Sequence, residues 1–117
     1  MGMSRKLRKE AEDRWPNLKN FLECYLHQDW PVDDGTLENA VDRAVVETPL
    51  SALKSVASEW WQWNSSAGSA PDPRRQINDG LGVNVHFQTP FDARQFMNLV
   101  YDKLIVAIRK DEKGWKP

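Results

Sequence analysis

The chain has little of the residue types that most often carry chemistry. Its 117 residues contain one cysteine, Cys24, and two histidines, His27 and His86. A single cysteine forms no internal disulfide, and a zinc site usually needs at least three protein ligands. The composition therefore predicts a reducing, cytoplasmic location, with no disulfide, no metal site and no cofactor.

Long hydrophobic runs and a strong charge of one sign are also missing. No stretch without a charged residue exceeds twelve residues, which is too short to cross a bilayer. The basic N-terminus is not followed by the apolar region of a secretory signal. A net charge of −1 provides no overall attraction for nucleic acids or acidic lipids. These absences predict a soluble globular protein that binds neither membrane nor nucleic acid.

The sequence contains no motif of a familiar catalytic class, such as G-x-S-x-G, H-E-x-x-H or a phosphate-binding loop. Four residues nevertheless have suitable chemistry: Cys24, His27, Asp29 and His86. Cys24 and His27 are three residues apart on a predicted helix, so their side chains can converge. No glycine-rich turn is available to form an oxyanion hole. We predict that the chain is not an enzyme, and the alternative is a small metal-dependent or acid–base hydrolase that uses these four residues.

The spacing of apolar residues predicts an all-α fold, a small bundle of about four to five helices. Thr36 is expected to cap the second helical segment, and Thr48 with Pro49 is expected to begin the third in the same way. We expect residues 1–117 to form a single domain, with residues 1–14 as a frayed helical extension. At most one short extended segment is expected, at residues 83–87. The main helical segments are residues 16–27, 37–45, 50–63 and 92–110, with a short helix between Asp72 and Gly80 or Gly82.

Tryptophan is unusually frequent, with six residues in the chain. Trp60, Trp61 and Trp63 fall in one predicted helix, where consecutive residues point about 100° apart. They cannot all face one core. We predict that Trp60 is buried and that Trp61 or Trp63 is partly exposed, where an indole suits a binding interface.

Negative charge is concentrated in residues 28–48, which contain six acidic residues and one arginine. Glu38 and Asp42 are four residues apart, so they share one face of the predicted helix. Asp33 and Asp34 lie beside the start of that helix. A compact patch of this kind can steer a basic partner, and a solvated turn with an outer helix face explains it equally well. The predicted binding residues are Asp33, Asp34, Glu38, Asp42, Trp61 and Trp63.

Basic residues cluster near the N-terminus, at Arg5, Lys6, Arg8 and Lys9. Glu10, Glu12 and Asp13 follow directly and largely neutralise them, as expected for a solvated helix face. An adaptor that binds nucleic acid through residues 5–14 is the second alternative.

The stretch YLHQDWP at residues 25–31 places uncommon neighbours together at a predicted helix end. Upstream of it, Pro16, Leu18 and Phe21 or Leu22 follow the spacing of one helix face. This pattern resembles the immunity proteins of bacterial contact-dependent growth inhibition systems, in a helical family with the motif Y-(F/L)-H-Q-D-W. The motif residues present in this chain are Tyr25, Leu26, His27, Gln28, Asp29 and Trp30.

The resemblance implies a binding protein in the cytoplasm of the toxin-producing cell. It would neutralise a CdiA-type C-terminal toxin domain that neighbouring cells deliver. Many such toxins are nucleases, whose basic clefts an acidic surface would fit. The resemblance does not identify this toxin or assign contact residues. We interpret YLHQDWP itself as a structural corner, in which Asp29 accepts hydrogen bonds and Trp30 covers the core.

Overall fold

The computed structural model describes residues 2–27, 31 and 35–117. Within these residues there are five α-helices and no strand, which confirms the predicted all-α class. A 3-10 turn, Ala67–Ser69, and a π-helical turn, Gln76–Gly80, connect the last two α-helices. The α-helices are α1 (Gly2–Arg14), α2 (Pro16–Tyr25), α3 (Leu37–Glu47), α4 (Leu50–Asn64) and α5 (Pro90–Asp111).

Part of the predicted corner and of the predicted acidic patch lies outside the described residues. This applies to Gln28, Asp29 and Trp30 of the motif, and to Asp33 and Asp34 of the acidic segment.

Threonines define where two helices begin, although not always in the predicted way. The Thr36 hydroxyl accepts a hydrogen bond from the amide of Asn39 at 3.1 Å and caps α3, as expected. Thr89 does the same for α5 through the amide of Asp92, so α5 begins at Pro90 rather than at Asp92. Thr48 does not cap α4, because its hydroxyl donates to the Ala44 carbonyl at 2.6 Å and satisfies the end of α3 instead.

Helices α2 to α5 form the central bundle, in which α2 and α5 each pack against both α3 and α4. Each helix contributes one apolar face to a shared core. Trp60 of α4 is 4% exposed, and its indole N–H donates to the Met97 carbonyl of α5 at 3.0 Å. This bond satisfies the one polar atom of a large buried side chain.

Helix α1 packs along the π-helical turn. Ala11 is 1% exposed, and the Ser4 hydroxyl donates to the Asp79 carboxylate at 3.0 Å. The backbones come close at Gly80, where an added Cβ would lie 3.5 Å from the Leu7 carbonyl oxygen. Residues of α1 therefore contact the rest of the described structure.

Residues 82–87, which include the predicted extended segment 83–87, belong to neither a helix nor a strand in the described part of the chain. The side-chain amide of Asn78 donates to the carbonyls of Val83 and Val85, at 2.9 and 2.7 Å. The Asn84 amide donates to the Leu26 carbonyl at 2.8 Å. Through these bonds, backbone groups of the segment are paired without a sheet, and the segment is attached to the end of α2.

Glu59 of α4 caps the start of α2. One carboxylate oxygen accepts from the amides of Asn17 and Leu18, at 2.8 and 3.0 Å, and the other accepts from the Asn17 side chain. Trp15, at the N-cap position of α2, makes no side-chain cap of its own. A distant carboxylate therefore satisfies these helix-end amides and joins two helices.

None of the helices in the described part of the chain is both long enough and apolar enough to cross a membrane.

Candidate functional site

Glu38 and Asp42 lie on the same face of α3, as their spacing predicted, and their side chains are 61% and 48% exposed. A lysine side chain lies between them. The ammonium of Lys103, from α5, is 3.2 Å from the Glu38 carboxylate and 3.0 Å from that of Asp42. The predicted negative patch is therefore partly neutralised at these two residues, where three charges form one network.

The two carboxylates determine the protonation of Lys103. Hydrogen bonds to Asp42 and to Glu38 hold the pKa of the Lys103 ammonium above its ordinary value of 10.5. Lys103 is therefore positively charged at neutral pH, and the local network carries one net negative charge. Its side chain is about one-third exposed, so solvent screens the interaction.

Tyr25 of the sequence motif joins the end of α2 to α3. Its hydroxyl donates to the Glu47 carboxylate at 3.1 Å, and the Arg43 guanidinium lies 5.1 Å from the centre of its ring. Burial raises the pKa of the Tyr25 phenol, and the hydrogen bond to Glu47 raises it further. His27, which follows in the motif, is partly buried. Tyr25 thus connects α2 to α3, and the interpretation of the whole motif as a corner stays a prediction.

The three neighbouring tryptophans of α4 differ in exposure. Trp60 is buried and Trp61 is 55% exposed, which confirms the predicted division. Trp63 is only 2% exposed, so its expected place on a binding surface is wrong. The 3-10 turn covers its ring so closely that a Cβ added to Gly68 would lie 2.5 Å from a ring carbon. Trp63 is therefore a core residue because the turn that follows α4 covers its ring.

Trp61 and the acidic pair lie on opposite flanks of α5. The ring of Trp61 is 6.1 Å from that of Tyr101, whereas Lys103 contacts Glu38 and Asp42. Tyr101 and Lys103 are two residues apart on one helix, so they point about 200° apart. A partner that contacts both Trp61 and the acidic pair must therefore extend across α5.

Two residues of the alternative hydrolase, Cys24 and His86, lie at different places on the surface. Cys24 is exposed, and its thiol donates to the Asn20 side chain at 3.5 Å. It lines a depression beside Glu47 on α3, whereas His86 lines a different groove beside Phe96 of α5. Among the described residues, no group of three histidine, cysteine or acidic side chains is arranged to hold a metal ion. Asp29 lies outside the described residues.

Three basic residues of α1 are paired along the helix itself. Arg8 contacts Glu12, Lys9 contacts Asp13 and Arg14 contacts Glu10, each four residues apart. Such pairs are typical of a solvated helix face. The alternative of a nucleic-acid-binding adaptor that uses residues 5–14 stays open.

The sequence did not identify Lys103, Val46 or Val106 as surface features. Val46 of α3 is 83% exposed and Val106 of α5 is 60% exposed, and both line one groove between these helices. Lys103 could not be found from spacing, because it is 65 residues from Glu38. Neither valine belongs to the predicted apolar helix faces, but spacing alone does not reveal that the two line one groove.

The family of CdiI immunity proteins matches residues 14–104, which is more than three-quarters of the chain. Neither a curated protein nor a solved structure matches it. The matched region runs from the end of α1 into the last third of α5 and includes Tyr25, the acidic pair and Trp61. Membership implies an immunity function and a cognate toxin as partner. The chain therefore belongs to the CdiI immunity protein family.

Proposed function

We propose that this protein binds the C-terminal toxin domain of a contact-dependent growth inhibition effector and neutralises it in the cytoplasm. We further propose that the toxin is a nuclease. The observation that carries the proposal is the family match over residues 14–104. The acidic composition of residues 28–48 supports the nuclease class, because a nuclease presents a positive surface to bind phosphates.

The proposed contact surface on the acidic side consists of Asp33, Asp34, Glu38 and Asp42. Glu38 and Asp42 are accessible on α3 and retain one net negative charge after pairing with Lys103. Asp33 and Asp34 lie shortly before α3 in the chain and add two more charges. This field would accelerate encounter with a basic cleft more than it would determine the final affinity.

Trp61 is the proposed aromatic anchor on the other flank of α5. More than half of its side chain is accessible, and Tyr101 supports its ring from one side. An indole held in this way can bury a large apolar area on binding while losing little conformational freedom. Because Trp61 and the acidic pair are separated by α5, the proposal requires a toxin surface that covers this helix.

The direct test is co-expression of this protein with the toxin domain encoded by the gene immediately upstream. We expect the two chains to co-purify, and cells that express the toxin to survive only when this protein is present. The nuclease class is tested separately, by incubating the purified toxin domain with RNA and DNA. Co-purification without nucleic-acid cleavage would retain the binding function and contradict the nuclease assignment.

Titration of toxin activity distinguishes binding from catalysis. A binding protein removes activity in proportion to its amount and completes inhibition at about one molecule per toxin when the affinity is high. A hydrolase that inactivates the toxin would do so at a small fraction of that amount, given time. Complete inactivation by substoichiometric protein would therefore contradict the proposal and favour the hydrolase that uses Cys24, His27, Asp29 and His86.

A further inference from the structure

Two strongly exposed valines form the centre of a groove between α3 and α5. Val46 is 83% exposed and Val106 is 60% exposed. Val45 and Ala107 line the same groove and pack against the core beneath it. Exposed aliphatic side chains that adjoin one another in a groove are a common feature of protein interfaces.

The charges beside the groove follow a regular pattern along α5. Asp102, Val106 and Lys110 are spaced four residues apart, so they form one row on the helix surface. The carboxylate and the ammonium are each about 6 Å along the helix axis from Val106, on opposite sides of it. All three side chains are exposed and line the groove.

The two outer charges of this row are unpaired within the described part of the chain. Neither Asp102 nor Lys110 makes an ion pair there. Lys103, which also lines the groove, is already held by Glu38 and Asp42. The row therefore presents one available charge of each sign, at equal distances from an apolar centre.

We propose that this face is the interface of a homodimer, in which α5 packs antiparallel against α5 of a second copy. A two-fold axis that passes through Val106 reverses the direction of the row in the second copy. The residue four positions before Val106 therefore faces the residue four positions after it in the partner subunit. Asp102 then lies opposite Lys110 of the partner subunit, and Lys110 lies opposite the partner subunit's Asp102. The exposed valines of both copies are buried between these ion pairs.

The charge pattern selects a second copy over a partner of one charge sign. A basic surface placed on this groove would meet Lys110 and Lys103, and an acidic surface would meet Asp102 and Asp42. Like charges placed together at an interface are unfavourable. An antiparallel copy avoids both conflicts at once. Because this face overlaps the part of α5 that the proposed toxin contact covers, the homodimer is proposed for the protein without bound toxin, and it is tested without toxin.

Sedimentation of the purified full chain over a range of concentrations tests the apolar centre. We expect wild type to form a dimer, and Val106→Asp to raise the dimer dissociation constant at least about tenfold by placing a carboxylate in the apolar contact. The matched control is Phe91→Asp, at a residue that is 66% exposed on the same helix but does not line the groove. It should leave the dissociation constant unchanged. Circular dichroism establishes that each variant is folded.

A charge exchange tests the orientation. Asp102→Lys alone places lysine opposite lysine and should weaken the dimer at least about tenfold at low salt. Asp102→Lys combined with Lys110→Asp restores opposite charges and should return the dissociation constant to within about threefold of wild type. The proposal is overturned if wild type remains monomeric up to about 1 mM. It is also overturned if the folded Val106→Asp variant dimerises as wild type does, or if the double exchange is as weak as the single.

Discussion

The ammonium of Lys103 lies 3.0 Å from the Asp42 carboxylate, so a lysine from the last helix partly compensates the acidic surface of α3. The strength of this surface is thus set by the packing of α5 on α3, in addition to the acidic residues themselves. Neutralising the acidic residues of α3 should therefore slow association with a basic partner, whereas neutralising Lys103 of α5 should accelerate it.

We expect Glu38→Gln with Asp42→Asn to slow association with the cognate toxin domain by about three- to tenfold at low salt, because it removes two negative charges. Lys103→Gln should accelerate association, because it leaves both carboxylates uncompensated. Stopped-flow binding at two ionic strengths measures both effects, which should diminish at high salt.

Neutral replacements are preferable to charge reversal at these positions. Lysines at 38 and 42 would surround Lys103 with like charges and disturb the contact between α3 and α5. Thermal melts of the neutral variants provide the folding control. Equal, salt-independent association rates for wild type and both neutral variants would exclude this network from steering.

Trp61→Ala should weaken binding to the toxin domain at least about tenfold and should act mainly on dissociation, as expected for a central aromatic contact. Phe91→Ala, another exposed aromatic position in the bundle, is the matched control and should have little effect. Isothermal titration with surface plasmon resonance separates affinity from rate. If both substitutions leave affinity unchanged, Trp61 is not an anchor.

Gly68→Ala should lower the free energy of unfolding by about 2–4 kcal/mol, because its methyl group would overlap the buried ring of Trp63. Ser69→Ala is the neighbouring control. It removes only an exposed hydrogen bond to the Ser66 carbonyl and should change stability by less than about 1 kcal/mol. Urea denaturation compares them, and equal stability of the two variants would contradict the packing of Trp63 beneath this turn.

Tyr25→Phe should lower stability near pH 7 by about 0.5–1.5 kcal/mol, because it removes the hydrogen bond to Glu47. Burial and that bond raise the pKa of the folded phenol above its ordinary value of 10.0. The contribution of the neutral phenol is therefore fully present below pH 10 and is lost as pH rises through the folded pKa.

The difference between wild type and Tyr25→Phe should accordingly shrink above pH 10. Urea denaturation at several alkaline pH values measures it, and the comparison cancels titrating groups that the two proteins share. A difference that stays constant, or grows, above pH 10 would contradict the raised pKa.

Helix positions were predictable because apolar periodicity and caps act over a few residues. The α3 cap at Thr36 and the burial of Trp60 followed from this local information. The limit is visible at two identical dipeptides, Thr48-Pro49 and Thr89-Pro90. Only Thr89 caps the following helix. The Thr48 hydroxyl instead donates to the Ala44 carbonyl at the end of the preceding helix, where carbonyls lack helical amide partners. Whether the threonine of a threonine-proline pair caps the following helix therefore depends on the structure that precedes the pair.

The candidate surface was predictable only in part for a different reason. The spacing of Glu38 and Asp42 located one shared face, but Lys103 reaches that face through tertiary packing. Trp63 likewise depends on a turn that closes over it after α4 has ended. Neither contact has a periodic signal, because it depends on the path of the chain between helices.

The cap that Glu59 provides for α2 also has a consequence for synthesis of the chain. Glu59 is 42 residues after Asn17, so a ribosome must complete α3 and most of α4 before this carboxylate exists. Until then, the first amides of α2 have only water as a partner. A nascent chain that ends before residue 59 therefore contains α2 without the carboxylate that caps the start of this helix. Helix α2 reaches its final stability only when α4 packs against it.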